Sequence, residues 1–193
     1  MLEKDKGPLS IGFLAIAVVD FAVLIWALRL YGKYPSTAQW LATVPIGLLW
    51  YDNAVIGLGG TLGQGDLLIT LNTYRFLAHY AFLPFGIVAI ASMAKQAGFK
   101  WAQPRIVMGA FAVLATYFIL HDLYLFRNSN WYPSCFADTL RYTTRIAEYT
   151  ACSPDAVIGA GQSIPPIPAI TMSNMMLIFG IYLWWKVGFK WLF

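Results

Sequence analysis

The sequence predicts an all-α, multi-pass transmembrane bundle of five spans, with a disulfide-closed extracytoplasmic loop. Three observations carry this. Of 193 residues, 59% are hydrophobic and 11% charged, against roughly 25% charged in an average soluble domain. The apolar residues fall in long runs, each near the ~20 residues that cross a bilayer. The runs are continuously apolar rather than alternating, which speaks against a transmembrane β-barrel. No repeat or low-complexity tract divides the chain, so residues 1–193 are expected to form a single membrane domain.

The first span is expected at about 9–30, ending in Arg29 and Lys33. Its apolar run is too long for a cleavable signal peptide and is not followed by a small-residue cleavage site, so it is read as a retained helix. The second, at about 38–58, is entered through Pro35-Ser36-Thr37, a helix-start signal. Gly59 to Gly65 then reads as a tight turn, and it has no lysine of the kind a phosphate-binding loop carries. The third span is expected at about 72–94, with Asp66 or Asn72 capping its start and Lys95 closing it. The fourth is placed at about 105–126 and the fifth at about 167–185, closed by Lys186 and Lys190.

The outer loop, about 127–166, is long for so small a bundle. Asp138 stands three before Arg141, and Arg145 three before Glu148, which predicts a short surface helix over 136–151 with Phe136, Leu140 and Ala147 on its apolar side. Cys135 and Cys152, the only two cysteines, flank that segment, so a disulfide between them in an oxidising compartment is expected. The Pro- and Gly-rich stretch 153–168 reads as extended connection.

Charge sets the expected orientation. Five spans place Arg29, Lys33, Lys95, Lys100, Arg105, Lys186 and Lys190 on one side, with no acidic residue in those segments. By the positive-inside rule that side is cytoplasmic. The N-terminus, the glycine turn and the cysteine loop are then outside, although Lys4 and Lys6 count against this. The membrane expected is a bacterial inner or photosynthetic one. The net charge of +4 is scattered at helix ends rather than gathered in a stripe, so lipid head groups and not nucleic acid are its expected partners.

Polar residues within the spans are the functional signal. Ionisable groups in lipid are costly and mark sites. Counted from the expected span ends, Asp52, His79 and His121 all lie roughly 7–11 Å below the outer interface at 1.5 Å per residue. Asn53 and Asp122 sit beside them, and Arg75 lies one turn above His79. Asp20 is deeper and is expected to be protonated or to pair with Ser173 or Asn174.

Two kinds of chemistry suit this set. His79 and His121 are candidates to ligate haem b or a chlorophyll-type tetrapyrrole, with Arg75 meeting a propionate. Such a protein would belong to a redox or photosynthetic membrane complex. Alternatively, His79 and His121 with Asp52 or Asp122 would hold a divalent metal, with an open position for water, for a lipid hydrolase or phosphatase, with Arg75 on the phosphate. The plain alternative has no chemistry: an Asp52–Arg75 pair joins two helices, His121 leans on Tyr117, and the chain is an accessory subunit packed against other membrane subunits.

Overall fold

The computed structural model describes residues 8–188. Among the described residues the regular structure comprises six α-helices, one hairpin and two single-turn 3-10 helices (Lys100–Ala102 and Glu148–Thr150): α1 Pro8–Lys33, α2 Thr37–Leu62, α3 Asp66–Phe82, α4 Phe85–Gln96, α5 Arg105–Arg127, β1 Tyr132–Phe136, β2 Thr139–Thr143 and α6 Ile167–Val187. Five helical stretches are long and apolar enough to cross a membrane, α3 and α4 together forming the third. Their exposed side chains are largely apolar, with Val18, Trp26, Val113 and Ile178 all more than 60% accessible. Such surfaces are stable where lipid replaces water.

The third span differs from its expected bounds. It begins at Asp66, whose carboxylate lies in the first turn of α3, and Ile69 N–H already donates to the Gly65 carbonyl at 3.0 Å. An acidic first turn suits the positive end of the helix dipole. The span breaks at Pro84, which cannot supply a helical N–H. The chain turns there through Gly86 N–H to Leu83 O and resumes as α4.

The chain divides into two compact units. One gathers the residues up to Leu24 with Gly47–His79 and Tyr124–Ile164; the other gathers Ile25–Ile46, Tyr80–Leu123 and the residues from Pro165 on.

In the first unit the expected surface helix is replaced by an antiparallel hairpin, β1 with β2, in which Cys135 opposes Leu140 and Phe136 opposes Thr139. The residues explain why. Leu140, Tyr142, Thr144 and Ile146 are buried, while Arg141, Thr143 and Arg145 between them are not, a period of two. Threonine and tyrosine also favour strand over helix. Ala137, first of the two loop residues, has φ 51°, the sign a II′ hairpin turn requires there. No ion pair joins Asp138 to Arg141 or Arg145 to Glu148 among the described residues; Asp138 instead accepts the Ser10 N–H at 3.0 Å, and its carbonyl accepts the Ser10 hydroxyl. The hairpin tip thereby satisfies an orphan donor in the first turn of α1.

The disulfide joins Cys135 to Cys152, as expected, with 4.8 Å between Cα atoms. It lies against a cluster of Val55, Leu68, Leu140 and Tyr142, so the hairpin is packed onto α2 and α3. The glycines of α2 permit this. A Cβ on Gly59 would collide with the Leu140 carbonyl, and one on Gly60 would crowd the Asp138 carbonyl. The turn itself is made by Gly63 and Gly65, both at positive φ. The stretch expected as extended connection bends back instead: Gly159 N–H donates to the Ile146 carbonyl at 2.8 Å, and Gly161, at φ 82°, lies against Thr144 and Tyr132.

In the second unit, α4 packs on α6, with Gly86 against Met172 and Pro45. Phe99, Trp101, Phe111, Phe179 and Tyr182 form a connected group of rings, with centroids 4.9–6.4 Å apart.

Candidate functional site

In the first unit, three consecutive residues of α2 reach different neighbours because successive helical side chains are about 100° apart. Tyr51 donates its hydroxyl to the Leu71 carbonyl at 3.0 Å. Asp52 meets Arg75 across α2 and α3, with Nε 3.3 Å from Oδ1. Asn53 turns to α1 and donates to Asp20 Oδ2 at 2.8 Å. Asp20 is thus held by Asn53, and the expected pairing with Ser173 or Asn174 is replaced by one between the first two spans.

The pair Asp52–Arg75 is level by chain count. Asp52 lies ten residues before Leu62, and Arg75 nine after Asp66 (62 − 52 and 75 − 66). His79, four residues further along α3, is about 6 Å deeper at 1.5 Å per residue. The expected common level for Asp52 and His79 is corrected accordingly: the earlier start of α3 lowers His79 and brings Arg75 opposite Asp52. Arg75 is 5% exposed, and its guanidinium stands 4.5 Å from the Phe76 ring centroid; Phe76 in turn packs on Trp131 at 5.3 Å.

His79 Nδ1 lies 3.1 Å from the Arg75 carbonyl. A carbonyl only accepts, so Nδ1 carries the hydrogen, and Nε2 is the ring nitrogen left outside this bond. Asn72, fully buried, donates to the Leu68 carbonyl while its own Oδ1 has no partner among the described residues. Asn72, Arg75 and His79 fall at i, i+3 and i+7, one face of α3. Asn72 is the member of this face that the sequence reading used only as a helix cap; its helical spacing to Arg75 was the signal.

In the second unit, α5 carries His121 and Asp122. His121 Nδ1 lies 2.9 Å from Asp122 Oδ1. The carboxylate is 3% exposed and the imidazole 39%. An ionised carboxylate only accepts, so against such a partner Nδ1 is the donor and Nε2 is the ring nitrogen left without this bond. Tyr117, one turn earlier, meets the imidazole ring to ring at 5.9 Å between centroids, as expected of a neighbour.

Both histidines share one bonding pattern: each is held through Nδ1 by an oxygen of its own helix, which leaves Nε2 outside that bond. This is the arrangement in which imidazoles ligate metals, since the second hydrogen bond fixes the tautomer and raises basicity. Among the described residues, no three His, Cys, Asp or Glu side chains gather into a set that could hold a metal ion. Comparison with known protein families, with curated proteins and with solved structures finds none that matches this chain.

Proposed function

We propose that this chain is a membrane subunit that holds a tetrapyrrole of the haem b or chlorophyll type through histidine Nε2, within a redox or photosynthetic membrane system. The observation that carries the reading is the matched Nδ1 bonding of His79 to a carbonyl and of His121 to a buried carboxylate. One imidazole suffices for a ring whose own nitrogens already hold the metal, so a three-residue ligand set is not required. His121 suits the role further. It is half-exposed on α5 beside the exposed side chains of Tyr117 and Leu120, an apolar and aromatic surface fit for a flat macrocycle. When bound, such a group supplies electron transfer or light absorption; the protein orients the imidazole and sets its basicity. The same reading keeps the disulfide-tied hairpin outside and the C-terminus in the cytoplasm, supported by the basic residues of the second unit.

The test is an absorption spectrum of the purified protein, with and without added haemin or chlorophyll. A Soret band that shifts with dithionite, or a bound chlorophyll band, lost in His121→Ala or His79→Ala, supports the proposal. A colourless protein that takes up neither ring overturns it. Stoichiometric zinc in such a protein would favour the metal-dependent lipid hydrolase.

A second reading, an accessory subunit without chemistry, is favoured by the internal pairing of Asp52 with Arg75 and of Asp20 with Asn53. Each bond joins two helices and leaves little polar surface to lipid. A colourless, metal-free protein that co-purifies with other membrane subunits would support it.

A further inference from the structure

The second unit contains a cleft of about 480 Å³ that neither the histidines nor the hairpin explain. Thr37, Ser92, Lys95, Gln96, Gln103 and Met108 line it. They come from the start of α2, the end of α4, the α4–α5 connection and the start of α5. The inventory favours donors: one ammonium, two hydroxyls and two amides, with no carboxylate.

Three backbone acceptors at the end of α4 that would oppose an anion are already occupied. At the end of α4, the Met93 carbonyl accepts from Ala97 N–H, the Ala94 carbonyl from Phe99 N–H, and the Lys95 carbonyl from both Gly98 N–H and Gln103 Nε2. Within this unit the only carboxylate among the described residues is Asp122. It is fourteen residues along α5 from Met108 (122 − 108), or roughly 21 Å at 1.5 Å per residue. Lys33, Lys100 and Arg105, by contrast, lie in sequence at the end of α1, in the α4–α5 connection and at the start of α5. The first turns of α2 and α5 add positive dipole ends, and Lys95 offsets the negative end of α4. Met108 supplies one apolar wall, as an acyl chain or glycerol would need.

From this geometry we infer that the cleft holds the phosphate of an anionic phospholipid at the basic face of the membrane. Basic pockets between spans at that face take such head groups. Lys95 supplies the charge, while Ser92, Thr37 and Gln96 supply neutral donors to the phosphate oxygens. The inference is independent of any tetrapyrrole.

The test reconstitutes the full chain into vesicles of equal phosphatidylglycerol and phosphatidylcholine. Lipid retained by the detergent-released protein is then measured by native mass spectrometry. The wild type is expected to retain phosphatidylglycerol at least about fivefold over phosphatidylcholine. Lys95→Gln, and Met108→Trp, which fills the cleft by bulk, are expected to bring the ratio to about one, whereas Lys186→Gln, outside the cleft, leaves it unchanged. An unchanged ratio in both cleft variants overturns the site. Displacement of the retained phosphatidylglycerol by millimolar inorganic phosphate identifies a free-anion site and overturns the lipid assignment.

Discussion

Asp52 and Arg75 face each other across α2 and α3 with 3.3 Å between Oδ1 and Nε, one carboxylate and one guanidinium held within a hydrophobic bundle. Their burial, 24% and 6% exposed, means that neither charge has ready recourse to water. Breaking such a pair strands the partner charge, at about 3–5 kcal/mol. Arg75→Leu is expected to lower stability at the lower end of that range, because Asp52 retains some exposure. Asp52→Leu with Arg75→Leu is expected to recover most of the loss. Thermal unfolding of the purified protein in one detergent compares the three; a double variant as weak as the single one would show that the arginine acts through packing on Phe76 instead.

The disulfide closes a loop with a sequence separation of 17. By chain entropy a loop of this size contributes about 3 kcal/mol. Cys135→Ala with Cys152→Ala is expected to expose the hairpin to protease while the five spans stay in the membrane. In the wild type, thiol alkylation should label neither cysteine until a reductant is added.

Gly59 is where the hairpin touches α2 most closely. Gly59→Ala places a methyl group on the Leu140 carbonyl and is expected to cost about 1–3 kcal/mol by overpacking. Gly12→Ala in α1, where a Cβ meets nothing within 4 Å, is expected to be neutral or to stabilise by up to about 1 kcal/mol through helix propensity. Chemical unfolding, followed by tryptophan fluorescence, should separate the two by sign.

Asp122 tests the tetrapyrrole reading without touching the ligand itself. Asp122→Asn keeps the shape beside His121 Nδ1 and removes the charge. Loss of such a carboxylate behind a ligating imidazole typically lowers affinity about 10–100-fold. Titration of the purified variant with haemin should show that weakening while the helical circular dichroism is unchanged; equal affinities would remove Asp122 from the site.

Much of this was readable before the fold was known. Continuous apolar runs place four of the five spans to within about four residues, because lipid thickness dictates their length, while the third begins six residues earlier than expected, at Asp66. The Cys135–Cys152 bridge follows from two cysteines in one extramembrane segment. The hairpin was missed because Asp138, Arg141, Arg145 and Glu148 have helix-like spacing, while the decisive alternation of Leu140, Tyr142, Thr144 and Ile146 gains meaning only with α2 and α3 beneath it. Arg75 opposite Asp52 was legible as a possible pair, but their common level depended on α3 starting at Asp66.

The amino-acid sequence alone determined five stretches long and apolar enough to cross a membrane, and that Asp52, Arg75, His79, His121 and Asp122 sit on them. It could do so because a bilayer imposes a length and an apolar composition on each span, one span at a time. Partners were decided by tertiary structure: Asn53 for Asp20, Arg75 for Asp52, a carbonyl and a carboxylate for the two histidines. Which groups meet depends on helix rotation and on where each helix begins, and these are set by side chains packing between segments far apart in the chain.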